Sequence, residues 1–181
     1  MKIGLIADTH IPEAGDSLPE KIWEVFRDTE LILHAGDLHI LAVLDWLEGI
    51  APVKAARGNG DEGMGGRPLV PEDPRLLPVH VLHIQDLRIG LTHTIPLPEE
   101  TPWIPLAKTM DRLFGSRVDV IVFGDSHVDY IGNHDGVLLV NPGSPTLPYN
   151  LTGHVGTVGI LEINHGKPTP RIVPLGRWPI R

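Results

Sequence analysis

Asp8 and His10, Asp37, Asn59, His93, and Asp125 and His127 are the residues of this 181-residue chain whose types and spacing could do chemistry. They stand in short polar clusters: Asp8-Thr9-His10, Gly36-Asp37, Gly58-Asn59-Gly60-Asp61, His93 by itself, and Gly124-Asp125-Ser126-His127. Carboxylates, imidazoles and a carboxamide oxygen form a mixed donor set suited to divalent cations. The chemistry such a set points to is metal-assisted hydrolysis. Two cations about 3.5–4 Å apart can hold a hydroxide between them and clamp the oxygens of a reacting group. No protein nucleophile is needed.

Each cluster follows an apolar run. Ile3 to Ala7 leads to Asp8, Leu31 to Leu33 to His34 and Asp37, Val53 to Ala56 to Asn59, Leu87 to Leu91 to His93, and Val118 to Phe123 to Asp125. Short, mostly apolar runs of this kind fit strands buried on both faces. Residues just past the carboxyl ends of such strands converge on one crevice even when far apart in sequence. Any one Asp or His alone would read as a strand-end turn or helix cap, and it is the repetition at five strand ends that carries the reading.

The first third predicts β-α-β-α-β with right-handed crossovers. Ser17-Leu18-Pro19-Glu20 offers a Ser N-cap and an early Pro, followed by Ile22, Trp23, Val25 and Phe26 as a buried stripe. A second helix is expected from His39 or Ile40 to Glu48, closed by Gly49. Residues 60–78, crowded with Gly and Pro, predict a long mobile loop at the rim of the crevice. Val79 to Ile84 and Leu87 to Leu91 predict a hairpin. A Pro-rich loop then precedes a helix near Leu106 to Phe114, and only strands follow. A βαβ half followed by a β-rich half predicts two sheets packed face to face with helices outside.

The length suits one domain spanning residues 1–181, able to bury roughly two-thirds of its unfolded surface. Absence of cysteine removes disulfides, thiolate metal sites and cysteine nucleophiles, and fits a reducing cytoplasm. No run approaches the roughly 18 apolar residues of a membrane span, so a soluble protein is expected. Fifteen Lys and Arg against 23 Asp and Glu leave a net charge of −8, which disfavours nucleic-acid backbones as partners.

The ordered set Asp-x-His, Gly-Asp, Gly-Asn-x-Asp, a His after a strand, and Gly-x-x-His resembles the calcineurin-like metallophosphoesterases. The stretch Leu33-His34-Ala35-Gly36-Asp37 and the late Asn141-Pro142-Gly143-Ser144 resemble their small phosphodiesterase branch. The resemblance implies an α/β fold, a four-layer α/β/β/α sandwich of two mixed β-sheets flanked by helices. It implies a phosphodiesterase acting on a small phosphoester, with Asp8, His10 and His127 on one metal, Asn59 and His93 on a second, and Asp37 bridging. Asp37, Asn59 and His93 are thereby the catalytic group as well. Two divalent ions are expected, Mn first, with Fe, Ni, Zn or Mg as alternatives. A homo-oligomer, dimer or tetramer, stays open. So does a non-catalytic scaffold, the role this fold plays in a retromer subunit of similar length.

Two departures from the family pattern stand out. Asp125 replaces an imidazole usual in Gly-His-x-His, which makes that position a harder donor and favours Mn, Mg or Fe. Gly60 stands where many relatives carry a His that assists the leaving group, so good leaving groups should react faster. Asp61, without that His, reads as a turn or cap residue. His34 reads as a packed core histidine, His39 as the start of a helix or a substrate contact, Asn141 as a turn residue, and Arg57 as a phosphate contact. Trp23 and Trp46 read as core, whereas Trp103 could cap a substrate pocket or an interface.

Overall fold

Strands that are apolar on both faces have to be covered on both faces, and the chain does this with two stacked sheets and helices outside them. The computed structural model describes residues 1–176. The first half supplies β1 (Lys2–Ile6), α1 (Lys21–Phe26), β2 (Leu31–His34), α2 (Ala42–Glu48), β3 (Val53–Ala56) and β4 (Leu76–Leu77). The second supplies β5 (His80–Ile84), β6 (Leu87–Leu91), α3 (Leu106–Phe114), β7 (Val120–Val122), β8 (Asp129–His134), β9 (Val137–Pro142), β10 (Thr157–Asn164) and β11 (Lys167–Pro174). One sheet has the order β11-β10-β1-β2-β3-β4 and the other β5-β6-β7-β9-β8. Both are mixed: β1, β2, β3 and β4 run parallel, as do β6, β7 and β9, with antiparallel neighbours at the flanks.

Three apolar layers follow from the period-2 alternation of the strands. Ile3, Leu5, Leu33, Leu91, Val120 and Leu161 fill the space between the sheets. Ile22, Phe26, Leu44 and Leu47 of the first two helices cover the outer face of the six-stranded sheet through Ile6, Ile32 and Ile160. Leu106, Met110 and Phe114 of α3 cover the other sheet through Ile121 and Leu139. This is the expected four-layer sandwich.

Local expectations needed correction in three places. The first helix begins at Lys21 rather than under a Ser17 cap, and Glu20 makes no capping bond. Leu18 precedes Pro19, and a residue before proline is pushed out of the helical region. A six-residue helix buries only Ile22 and Phe26, so Trp23 is 41% exposed instead of core. Residues 60–78 are not without regular structure: Leu76 and Leu77 pair with Ala55 and Ala56, a strand too short to leave a pattern.

Glycine at two central strand positions lets a helix approach. A Cβ on Gly4 would lie 3.1 Å from the Phe26 ring, and one on Gly90 would lie 2.6 Å from the Phe114 ring. Each Phe ends its helix and sits on a gap in the strand below. Overpacking a site of this kind costs about 1–3 kcal/mol. Gly90→Ala should therefore lower the urea midpoint at unchanged m-value, and by more than Gly4→Ala; equal effects would show that neither ring is seated as described.

Candidate metal centre

The loops leaving β1, β2, β3, β6 and β7 meet at one edge of the sandwich, and backbone bonds join them. Asp8 N–H donates to Gly36 O (2.9 Å), His10 N–H to Asp37 O (3.0 Å) and Gly124 N–H to His93 O (2.8 Å). Asp8, His10, Asp37, His39, Asp125 and His127 all have positive φ, from 46° to 72°. Non-glycine residues enter this left-handed region at a cost, and such strain gathers at functional sites. Here it turns consecutive side chains back over the strand ends.

The side chains converge in two halves. His10 Nε2 lies 3.1 Å from His127 Nε2, and His127 Nε2 lies 3.8 Å from Asp8 Oδ1. His93 Nε2 lies 2.9 Å from Asn59 Oδ1, 3.4 Å from Asp125 Oδ1 and 3.5 Å from Asp37 Oδ1. Asp37 belongs to both halves, since its Oδ2 is 3.6 Å from His10 Nε2. Asp8, His10 and His127 can hold one cation, and Asp8, Asp37 and His93 are a second three-residue group at metal spacing. Asn59 donates from Nδ2 to Met64 Sδ, which leaves Oδ1 facing His93.

Tautomers make this a site short of positive charge. His93 Nδ1–H donates to Ala35 O (2.7 Å) and His127 Nδ1–H to Leu147 O (3.1 Å). In their neutral forms both rings would present Nε2 lone pairs to oxygens and to another nitrogen, an arrangement that needs a cation or a proton. Burial, with His39 and His127 nearby, holds His10 down to about 2, and burial lowers His127 as well. Burial works against a charge on His93 too, but Asp125, Asp8 and Asp37 outweigh it and push this imidazole up to about 9. Burial raises Asp8 well above the usual carboxylate range, with Asp37 and Asp125 adding to it against His93 and the Asp125 N–H. A proton on His93 occupies the place a cation would take, so the donor set fits divalent metal.

A further ring of groups holds the donors. Asp61, with no exposed surface, accepts from the N–H groups of Asp37 (3.0 Å), His39 (2.8 Å) and Gly58 (2.8 Å). It is a buried anchor joining two donor loops, not the turn residue expected. Ser144 Oγ donates to Asp8 O and Thr146 Oγ1 to Thr9 O, both at 2.7 Å. Asn141 spans its own turn, accepting from Gly143 N–H, and donates to Gly124 O. His34 is the packed histidine expected: it accepts from Gly36 N–H, lies 3.1 Å from Thr9 Oγ1, and is held near 3 by burial.

His39 does not start a helix, since α2 begins at Ala42. Its ring lies edge-on to His10 at 4.4 Å, and Nδ1 meets Glu13 Oε2 at 2.7 Å. A Cβ on Gly60 would collide with His39 Nε2, so the space that glycine leaves is filled by His39. Arg57 is taken up elsewhere, donating to Val70 O and Pro71 O. Glu13 and Thr146 escaped the sequence reading because each acts across more than 20 residues of chain and no local pattern marks it; Ser144 was marked by the Asn141-Pro142-Gly143-Ser144 motif, but not its bond to Asp8.

Two mixed sheets carrying a buried Asp/His/Asn cluster across their parallel strand ends define a metal-binding sandwich of the phosphoesterase class. A profile described as the calcineurin-like phosphoesterase superfamily domain matches residues 1–166, and the chain belongs to that superfamily. A probable metallophosphoesterase of Methanothermobacter thermautotrophicus is 37% identical over 97% of this chain and 94% of its own length. A phosphodiesterase of Methanocaldococcus jannaschii is 30% identical over 90% of this chain and 93% of its own. Among solved structures, Vps29 of Entamoeba histolytica in complex with zinc has the same fold. Its TM-score is 0.69 at 22% identity, over 97% of this chain and all of that one.

Removing the Asp61 carboxylate leaves three buried donors unpaired. Asp61→Ala should cost about 3 kcal/mol or more in urea unfolding and weaken Mn²⁺ binding, with Asp61→Asn recovering part of both. A variant as stable as the parent would show that the loops hold without it. Between pH 6.5 and about 9 the folded metal-free chain keeps a proton on His93 that the unfolded chain has shed. That contribution to stability is full below pH 6.5 and lost as pH rises through about 9. Metal must expel the proton, so Mn²⁺ binding at pH 7 should release it and strengthen toward pH 9. Calorimetry in buffers of different ionisation enthalpy reads this directly, and binding without proton release would refute it.

Proposed function

We propose that this chain is a metal-dependent phosphodiesterase holding two divalent cations, Mn²⁺ first, with Fe, Ni, Zn or Mg as alternatives. Asp8, His10, Asp37 and His127 form one half of the centre; Asp37, Asn59, His93 and Asp125 form the other. The observation that carries this is the placement of Asp37, with Oδ2 toward His10 and Oδ1 toward His93, as a bridging carboxylate requires. Bound cations would supply an activated water and offset phosphoryl charge. The chain's part is to fix positions: Gly60 N–H holds Asp37 Oδ1 at 2.8 Å, and the Asp125 N–H holds Asp8 at 3.1 Å.

Asp125 Oδ1 lies 3.4 Å from His93 Nε2 with its side chain half exposed, which supports counting it with the second half. Three carboxylates against two divalent ions leave a formal single positive charge, which favours a monoanionic diester over a dianionic monoester. Asn59 Oδ1 and His93 Nε2 face the same space and would hold the cation that stabilises charge on phosphoryl oxygens. Among the described residues no helix is long and apolar enough to cross a membrane; a cytoplasmic location and a small phosphoester substrate are part of the proposal.

Metal-stripped protein titrated with Mn²⁺ should hydrolyse bis-p-nitrophenyl phosphate with saturation near two ions per chain, and p-nitrophenyl phosphate more slowly. The diester carries a good leaving group and needs no strong acid. Metal bound without turnover of either ester would move the chain to the scaffold reading.

A further inference from the structure

A cavity of about 550 Å³ is lined in part by His39, whose ring lies edge-on to that of His10 at the centre. Its walls are Ile40, Leu41, Leu69 and Val70 with three prolines, and its polar end is Glu13, His39 and Arg67. The volume is that of a small-molecule pocket, and largely apolar walls with a few convergent polar groups are how such pockets recognise ligands. His39 belongs to both places. Its Nδ1 is held by Glu13, whose second oxygen lies 3.3 Å from Arg67 Nε, so the polar end carries paired charges. Its Nε2 is buried, lacks a hydrogen-bond partner among the described residues, and is directed at His10 and Asp37. The His39 side chain is only 3% exposed.

We infer that this cavity receives an apolar, aryl-sized group of the substrate's ester, while the phosphoryl group sits at the centre with His39 Nε2 facing the junction between them. The inference rests on the phosphoesterase reading and names the class of ester it acts on. A methyl or a small polar arm would leave the walls of Ile40, Leu41 and Leu69 in water. An aryl arm removes them from it, and even one methylene in an apolar pocket is worth about tenfold or more in discrimination. The exposed surface of Leu69, 65% of the residue, is the part an arm of this kind would cover.

Phosphonates test this without turnover, because their P–C bond is not hydrolysed. Calorimetric titration of the Mn²⁺-loaded protein should show 1-naphthylphosphonate binding at least about tenfold more tightly than methylphosphonate. Leu69→Asp, at an exposed position, and separately Ile40→Ser should abolish that preference while methylphosphonate, too small to reach either residue, still binds. Equal affinities in the parent, or a preference that survives both variants, would overturn the pocket alone if Mn²⁺-dependent hydrolysis of bis-p-nitrophenyl phosphate is intact. Failure of both phosphonates to bind, together with absent hydrolysis, would overturn the phosphoesterase reading and the pocket with it.

Discussion

Two carboxylates, Asp8 and Asp37, lie almost wholly out of water at the end of a sandwich whose interior is otherwise aliphatic. Burying a charge is expensive unless it is paired, and these two face each other as well as burial. The surrounding structure answers that problem. His93 is driven toward its protonated form, and backbone N–H groups of Gly60 and Asp125 point at the oxygens. Neutral His10 and His127 turn ring nitrogens toward the same space. On the proposed two-cation reading, a divalent ion in each half would satisfy more of this arrangement than a single proton can.

Space is the second constraint, and it explains the glycines better than turn geometry does. Gly58 and Gly124 do not have positive φ, so other residues could adopt their backbone. What excludes a side chain is the centre itself: a Cβ on Gly58 would collide with the Asp37 carboxylate, and one on Gly124 would lie 2.9 Å from Asp8 Oδ2. The left-handed strain falls instead on the donors, which must reverse direction just after their strands. A rigid sandwich makes that affordable, because the strands on either side fix the loop ends and leave the strained residues no better place to go.

The strands, their buried faces and the clusters at their ends could be read because each is local: a few apolar residues followed by a polar one. The helix Leu106–Phe114 was equally legible, with Gly115 at φ 73° ending it. Failures came where the deciding contact was remote. Trp23 looked like core by spacing, yet the helix is too short to bury a second face. Asp61 looked redundant beside Gly60, because the three N–H groups it holds include two from a loop more than 20 residues upstream. His39 was ambiguous for a related reason. Only folding shows that Glu13 turns its ring into the gap above Gly60.

As a proposed donor, the carboxylate at position 125 would act on metal choice and on substrate charge with unequal force. Among the charged donors it is the exposed one, with half its side chain in solvent where Asp8 has none. A unit charge about 4 Å from a phosphoryl oxygen acts with about 1 kcal/mol in water and about 4 kcal/mol near a protein surface. Solvent and salt draw Asp125 toward the lower figure, so discrimination against dianions from this residue is modest. Donor hardness is not screened in this way, because coordination is a contact interaction set by the atom that touches the metal. If Asp125 is a donor as proposed, the exchange of nitrogen for oxygen at this position would bear more on which cation the second half selects than on which phosphoester it accepts. Recognition of the ester would then fall to the apolar wall formed by Ile40, Leu41 and Leu69.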